Sequence, residues 1–301
     1  MSKDKIIPAT PSDQPSTLQP NPVPPIPAAT NPAAANPVPP STRIGGQLKK
    51  EKFGYSLPVD APLFPEFPYQ YKNCTIVTFE YVTDPAAAAL FLPTQLTLDP
   101  KPRVKMLFAT YPWSSIGFYN EVAQSLICQY VDEKGQPYKA EDGTVVEFNY
   151  PLRMHVTSDT AMAAGREIAG IPKKMGAIQF SLGSEYFGHL DSHNGSPVCA
   201  FSMIPKRLLL AQIQEFPLNY LSLRLMPGVP GGTEKSKPKV CELLASTWIL
   251  GPGQMWSGTG NLILHKSELD PYYRLPIVEP PECRVFCGDM EARSLKLLLD
   301  F

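Results

Sequence analysis

Apolar and polar positions alternate with the period of strands over most of this chain. Cys74 to Val82, Val104 to Tyr111, Phe118 to Val131, Val145 to Val156 and Leu218 to Leu225 are rich in branched and aromatic residues. Proline or glycine turns separate most of these runs, and together the features predict strands. Helical signals are few. Asp84-Pro85 supplies an N-cap and a first-turn proline ahead of Ala86 to Leu92, and Pro93 ends the run. Ser158 or Asp159 caps Thr160 to Ala169, which Gly170 and Pro172 stop. A third helix is predicted over Asp289 to Leu299. There is no strand–helix alternation and no phosphate-binding glycine loop, which argues against a Rossmann fold. The predicted fold class is α+β and β-rich, built on barrel-like antiparallel sheets.

Composition divides the chain in two. Residues 1–45 are dense in proline, alanine, serine, threonine and asparagine, with Pro24-Pro25 and Pro39-Pro40 and almost no branched or aromatic apolar residues. Such a stretch buries too little surface to offset its ordering entropy, and proline favours extended, solvated conformations. It reads as a disordered tail, a spacer rather than a ligand for an aromatic-lined groove. No apolar core lies between Met1 and Pro25 and no arginine precedes Arg43, so neither a secretory signal nor a transit peptide is expected.

Residues 46–301 are long enough for one well-buried core. The formal net charge of −1 leaves no footprint for nucleic acid, and no apolar run approaches the ~20 residues that span a bilayer. No nucleic-acid or membrane partner is therefore expected. Six cysteines, Cys74, Cys128, Cys199, Cys241, Cys283 and Cys287, are scattered without a Cys-x-x-Cys pair, and no histidine stands at zinc-finger spacing. Free thiols in a reducing, cytoplasmic setting are the expectation, with no metal site and no cofactor.

The candidate chemistry lies in Gly165-Arg166-Glu167-Ile168-Ala169-Gly170-Ile171-Pro172-Lys173-Lys174-Met175-Gly176. Two lysines follow a capped helix, and Pro172 fixes the backbone just before them, a rigid exit that would aim Lys173 inward. Lysine attacks a carbonyl only as the neutral amine, a form favoured by desolvation and by a nearby cation. Gly165 inside the helix costs up to about 1 kcal/mol relative to alanine, which implies close backbone packing there. Glu121 is the carboxylate near the middle of an apolar strand, where an unpaired charge is expensive. Arg166 and Glu167 read as internal salt-bridge or cap partners.

The lysine segment resembles acetoacetate decarboxylase. So do Gly117-Phe118-Tyr119-Asn120-Glu121, Val240-Cys241-Glu242-Leu243 and the Trp256-Ser257-Gly258 turn, in the same order, and the resemblance runs from about Pro68 to the C-terminus. It implies a conical barrel, a Schiff base on Lys173, Lys174 as the neighbouring cation, and an active-site role for Glu121: orienting substrate, pairing with an iminium or moving a proton. Two departures stand out. The family's decarboxylases usually carry an arginine after a Tyr-x-(aromatic)-x-Asn string, but Tyr69-Gln70-Tyr71-Lys72-Asn73 leads here to Cys74. A second family glutamate aligns with Met106, and His155 falls where the family has a pocket aromatic; either a proton-exchanging or a satisfied core histidine fits that position. Ile171 is expected to line the pocket. With charge removed at Cys74 and Met106, the resemblance implies a lyase that decarboxylates a β-keto acid larger or more apolar than acetoacetate, such as a secondary-metabolic one. The enzyme is expected to be a homo-oligomer. A Schiff-base aldolase–dehydratase or cyclase is the alternative, because the same enamine attacks an aldehyde. A non-catalytic protein binding an apolar ligand is a second alternative, against which the paired lysines argue.

Overall fold

Strands β1 (Tyr69–Val82), β3 (Arg103–Tyr111), β5 (Tyr119–Tyr130) and β6 (Phe148–Val156) are the runs whose branched and aromatic residues predict them, and they pair antiparallel in that order. The computed structural model describes residues 44–209, 214–228, 239–250 and 254–300. Residues 1–43 of the predicted tail therefore lie outside the described residues. Helix α1 (Pro85–Ala89) begins where Asp84 accepts from the Ala87 amide, and α2 (Asp159–Glu167) where Ser158 accepts from the Ala161 amide. Short β2 (Leu96–Thr97) and β4 (Trp113–Ser114) pair with β5 and β1. After α2 come β7 (Lys173–Met175), β8 (Ala177–Ser181), β9 (Tyr186–Asp191), β10 (Pro197–Leu208), β11 (Gln214–Arg224), β12 (Lys239–Leu250), β13 (Met255–Leu264) and β14 (Glu282–Asp300).

The principal hydrogen-bonded path runs β4-β1-β3-β5-β6-β11-β12-β14-β13-β10-β9-β8, with β1 also paired to β14. This is one large β-rich sheet with few helices. It is mixed, not wholly antiparallel, because both β7 and β11 run parallel to β6. The principal path has ends at β4 and β8, and strand pairing by itself does not establish a conical barrel.

Two expectations fail here. Asp289 to Leu299 is part of β14, not a helix, because β12 pairs along it and β1 adds a second partner at Met290 to Ala292. Tyr69 to Glu80 pair along one part of β14, and Lys239 to Ile249 along the rest. This strand pairing overrides the local helix propensity. Trp256-Ser257-Gly258 lies within β13, not in a turn. Gly258 is needed there for close approach: a Cβ on it would stand 2.2 Å from the Ile204 carbonyl oxygen of β10.

Strand alternation sorts the interior into two cores. Leu107, Ala109 and Tyr111 of β3, with Tyr119 and Ala123 of β5 and Met154 and Val156 of β6, pack beneath the alanines of α2. Val104, Met106 and Phe108, with Val122 and Leu126, point the other way onto Phe79, Phe201 and Tyr272. Phe79, Phe108 and Phe201 form one aromatic group with centroids 4.4 to 6.2 Å apart. Each ring contributes about 1.5–3 kcal/mol by burial. The five cysteines among the described side chains are free, four of them buried.

The second core also holds a polar network that pins the segment between β13 and β14. Gln124 donates to Tyr81 Oη (3.2 Å) and to the Tyr272 carbonyl (2.9 Å), and Tyr81 donates to the Leu275 carbonyl (2.9 Å). His155 Nδ1 lies 3.0 Å from Tyr272 Oη, and its Nε2 lies 3.1 Å from Asp270 Oδ1 without a hydrogen bond to it. Ser192 donates to Asp270 Oδ2 (2.5 Å).

His155 is 1 % exposed, and burial holds its pKa below the ordinary value against the opposing pull of Asp270. An unfolded chain takes up this proton near pH 6.5, whereas the folded protein resists it. Stability should therefore fall as the pH drops from 7 to 5, by no more than about 1.4 kcal/mol per pH unit for one proton. Asp270 is held below the ordinary carboxylate range, because its hydrogen bonds from Lys174 and Ser192 outweigh the upward push of burial, so it does not enter this window. Urea denaturation at pH 7, 6 and 5 should show the slope in the parent protein and a flatter one in His155→Gln. An identical slope in both would contradict this assignment.

Candidate active site

Lys173 opens β7, which pairs with β6, with Met154, His155 and Val156 opposite Lys173, Lys174 and Met175. Gly170, in the left-handed region at φ +66°, makes the turn from α2, and Pro172 leads into the strand. Arg166 of α2 donates to the Lys173 carbonyl (3.1 Å), which is neither the salt bridge nor the cap hydrogen bond expected of it. Because β7 is extended, Lys173 and Lys174 point to opposite faces of the sheet.

Lys173 turns into the first core, where its Nζ stands 2.9 Å from Glu121 Oε2. Lys173 is 7 % exposed and Glu121 5 %. The aliphatic part of the lysine passes against α2 at Gly165. A Cβ there would lie 2.6 Å from Lys173 Cδ and 2.8 Å from Cε. The expected close packing at Gly165 is thus made by the lysine side chain and not by another backbone.

Phenols surround the pair. Tyr111 donates to Glu121 Oε1 (3.3 Å), and Nζ stands 5.5 Å from the centre of the Tyr119 ring. Tyr71 packs on both, with centroids 5.1 Å from Tyr111 and 6.5 Å from Tyr119. Burial, reinforced by the Glu121 charge, raises the Tyr111 and Tyr119 phenols well above their usual range, and burial raises Tyr71 as well. All three remain protonated O–H groups. Cys74 borders this core, and burial pushes its thiol up to about 12, so it behaves as an apolar wall.

The other sequence candidates go elsewhere. Lys174 is half-exposed; it pairs with Asp270 and donates to the Leu269 carbonyl (3.2 Å). It is not beside the Lys173 amine, so the expected neighbouring cation faces the opposite side of the sheet. Met106 is buried in the second core, and Leu107 holds the adjacent position on the Lys173 side. A single-residue step in a strand reverses the face, which overturns Met106 as a pocket residue. His155 likewise belongs to the second core. Ile171 packs against the first core but lines a separate groove beside α2. Sequence reasoning missed Tyr71, Tyr111 and Tyr119 as site residues, although Tyr119 precedes Glu121 by the two-residue strand period. Asp270 carried no sequence signal. Among the described residues, no group of three or more histidine, cysteine or acidic side chains is placed to hold a metal ion.

A buried amine–carboxylate pair ringed by phenols, on a β-rich mixed sheet, is the class of site defined here. The family model for acetoacetate decarboxylase (ADC) matches residues 56–300, and the chain belongs to that family. It is 30% identical over 255 residues to the acetoacetate decarboxylase of Chromobacterium violaceum, covering 82% of this chain and 95% of that one. The crystal structure of acetoacetate decarboxylase from Legionella pneumophila superposes with a TM-score of 0.68 at 22% identity, over 86% of this chain and 99% of that one. The enduracididine biosynthesis enzyme MppR, complexed with the condensation product of pyruvate and imidazole 4-carboxaldehyde, superposes with a TM-score of 0.65 at 21% identity, over 84% and 98%. Family and curated relatives support a lyase of decarboxylase type.

Gly165→Ala should preserve the fold while forcing the Lys173 methylenes off α2 and the amine away from Glu121. Turnover should fall at least about tenfold, roughly 1.4 kcal/mol, mainly in kcat. Steady-state kinetics with a thermal melt check this; an unchanged kcat would show that the lysine path tolerates a methyl group.

Proposed function

We propose that the protein is a cofactor-independent Schiff-base lyase that decarboxylates a β-keto acid with a larger, more apolar acyl group than acetoacetate. The observation that carries the reading is the buried 2.9 Å contact between Lys173 and Glu121 in a member of this family. The Glu121 carboxylate takes a proton from the Lys173 ammonium, and the neutral amine attacks the substrate ketone. Water leaves and an iminium forms. The bond to the carboxylate then breaks, CO2 departs, and the electron pair passes into the enamine. Protonation at carbon and hydrolysis of the iminium release the ketone and return the amine. Glu121 is placed to move protons at nitrogen, and Tyr111 holds its second oxygen.

The size preference rests on the wall. Cys74, Leu107 and the rings of Tyr71 and Tyr119 present apolar surface to this side of the sheet. Phenolic O–H groups remain as the neutral donors for a polar substrate group. Condensation is the second reading: the same enamine carbon attacks an aldehyde, and a neighbour of the same fold holds a condensation product.

A series of β-keto acids of increasing acyl length tests both the chemistry and the size claim by CO2 release, with keto acid–aldehyde pairs assayed for carbon–carbon bond formation. Longer acyl groups should exceed acetoacetate in kcat/KM by at least about tenfold, given ~0.8 kcal/mol per buried methylene. Lys173→Met should abolish turnover. A preference for acetoacetate would overturn the size claim, and Lys173-independent turnover would overturn the mechanism.

A further inference from the structure

A groove of about 620 Å³ lies between α2, the middle of β6 and the end of β11, within the size range of ligand sites. It arises where the parallel pairing along β6 is interrupted. Among the described residues, one edge of β6 pairs with β11 at Asn149–Tyr220 and with β7 from Met154 onward. Residues 150–153 lie between those contacts and face the groove, whose walls include Phe91, Leu152, Met162, Ile171 and Leu223. These walls are apolar, yet two arginines, Arg153 and Arg166, line the same space.

Arg153 is half-buried among them. Its Nη1 bonds Gln124 Oε1 at 2.6 Å, and its Cζ stands 4.8 Å from the centre of the Phe91 ring. Both partners are neutral, and no carboxylate among the described residues pairs with it. A desolvated cation without a counter-charge is costly, and burial does depress the Arg153 pKa. Arg166 uses one nitrogen on the Lys173 carbonyl and has no carboxylate partner among the described residues either. Among the described residues of the lining, Glu167 is the one opposing charge, and it is exposed. The groove thus offers apolar length and uncompensated positive charge together.

We propose that this groove is a binding site for an amphipathic carboxylate: an extended apolar chain on the Leu152, Met162 and Leu223 surface, with its anionic head on Arg153. Guanidinium presents paired N–H donors to a carboxylate and forms charge-assisted hydrogen bonds worth roughly 10–150-fold in affinity. The Lys173 amine faces Glu121 in the first core and is not in the lining, so this site does not depend on the Schiff-base reading.

Calorimetry on the full chain tests it with decanoate as the probe and 1-decanol as the neutral comparator. Decanoate should bind saturably. Arg153→Gln should weaken decanoate at least about tenfold while leaving decanol within about twofold. Leu223→Trp, which fills the groove and spares the Arg153–Gln124 contact, should weaken both. Lys173→Met should leave decanoate binding unchanged. Absence of saturable decanoate binding would overturn the proposal, as would binding that survives both groove substitutions. Loss of binding in Lys173→Met alone would also overturn it, by placing the anion at Lys173 instead.

Discussion

Everything at the candidate site depends on burying one ammonium against one carboxylate. Taking Lys173 and Glu121 out of water costs several kcal/mol per ion, and only close, well-supported geometry returns it. The support is the sheet. Glu121 stands in a central strand with both edges paired, and Lys173 stands in a short strand hydrogen-bonded to the next one along. Tyr111 secures the second carboxylate oxygen, and α2 closes over the lysine stem because residue 165 has no side chain. Without any one of these, the pair would reach water or lose its 2.9 Å contact.

The same sheet separates the two lysines. Lys173 and Lys174 are neighbours in sequence, but strand geometry sends them to opposite faces of the sheet, each to its own carboxylate. Lys174 meets Asp270, which also touches Ser192 and lies beside His155. That contact ties the segment before β14 to the strand carrying Lys173. Lys174 is therefore a fastening on the opposite face, and the environment that governs Lys173 chemistry is made by burial, Glu121 and the phenols.

Much of this was legible in the sequence, wherever the signal was local. The caps of both helices, the stop at Gly170 and Pro172, and the central strands follow from residues within a few positions of one another. The meeting of Lys173 and Glu121 across 52 positions was accessible only through the resemblance. Errors arose where distant pairing decides. Asp289 to Leu299 has helix-forming composition, but β12 pairs along it and β1 along Met290 to Ala292. Trp256-Ser257-Gly258 has turn composition, but its glycine admits an adjacent strand. Met106 differs from a site-facing position by one residue, and in a strand one residue is the whole difference.

Borohydride reduction in the presence of a turned-over keto acid, followed by fragmentation mapping of the peptide that contains both lysines, tests the central claim most directly. The account predicts a ligand adduct on Lys173 in the parent protein and in Lys174→Met alike. An adduct on Lys174, or loss of trapping in a folded Lys174→Met variant, would contradict it.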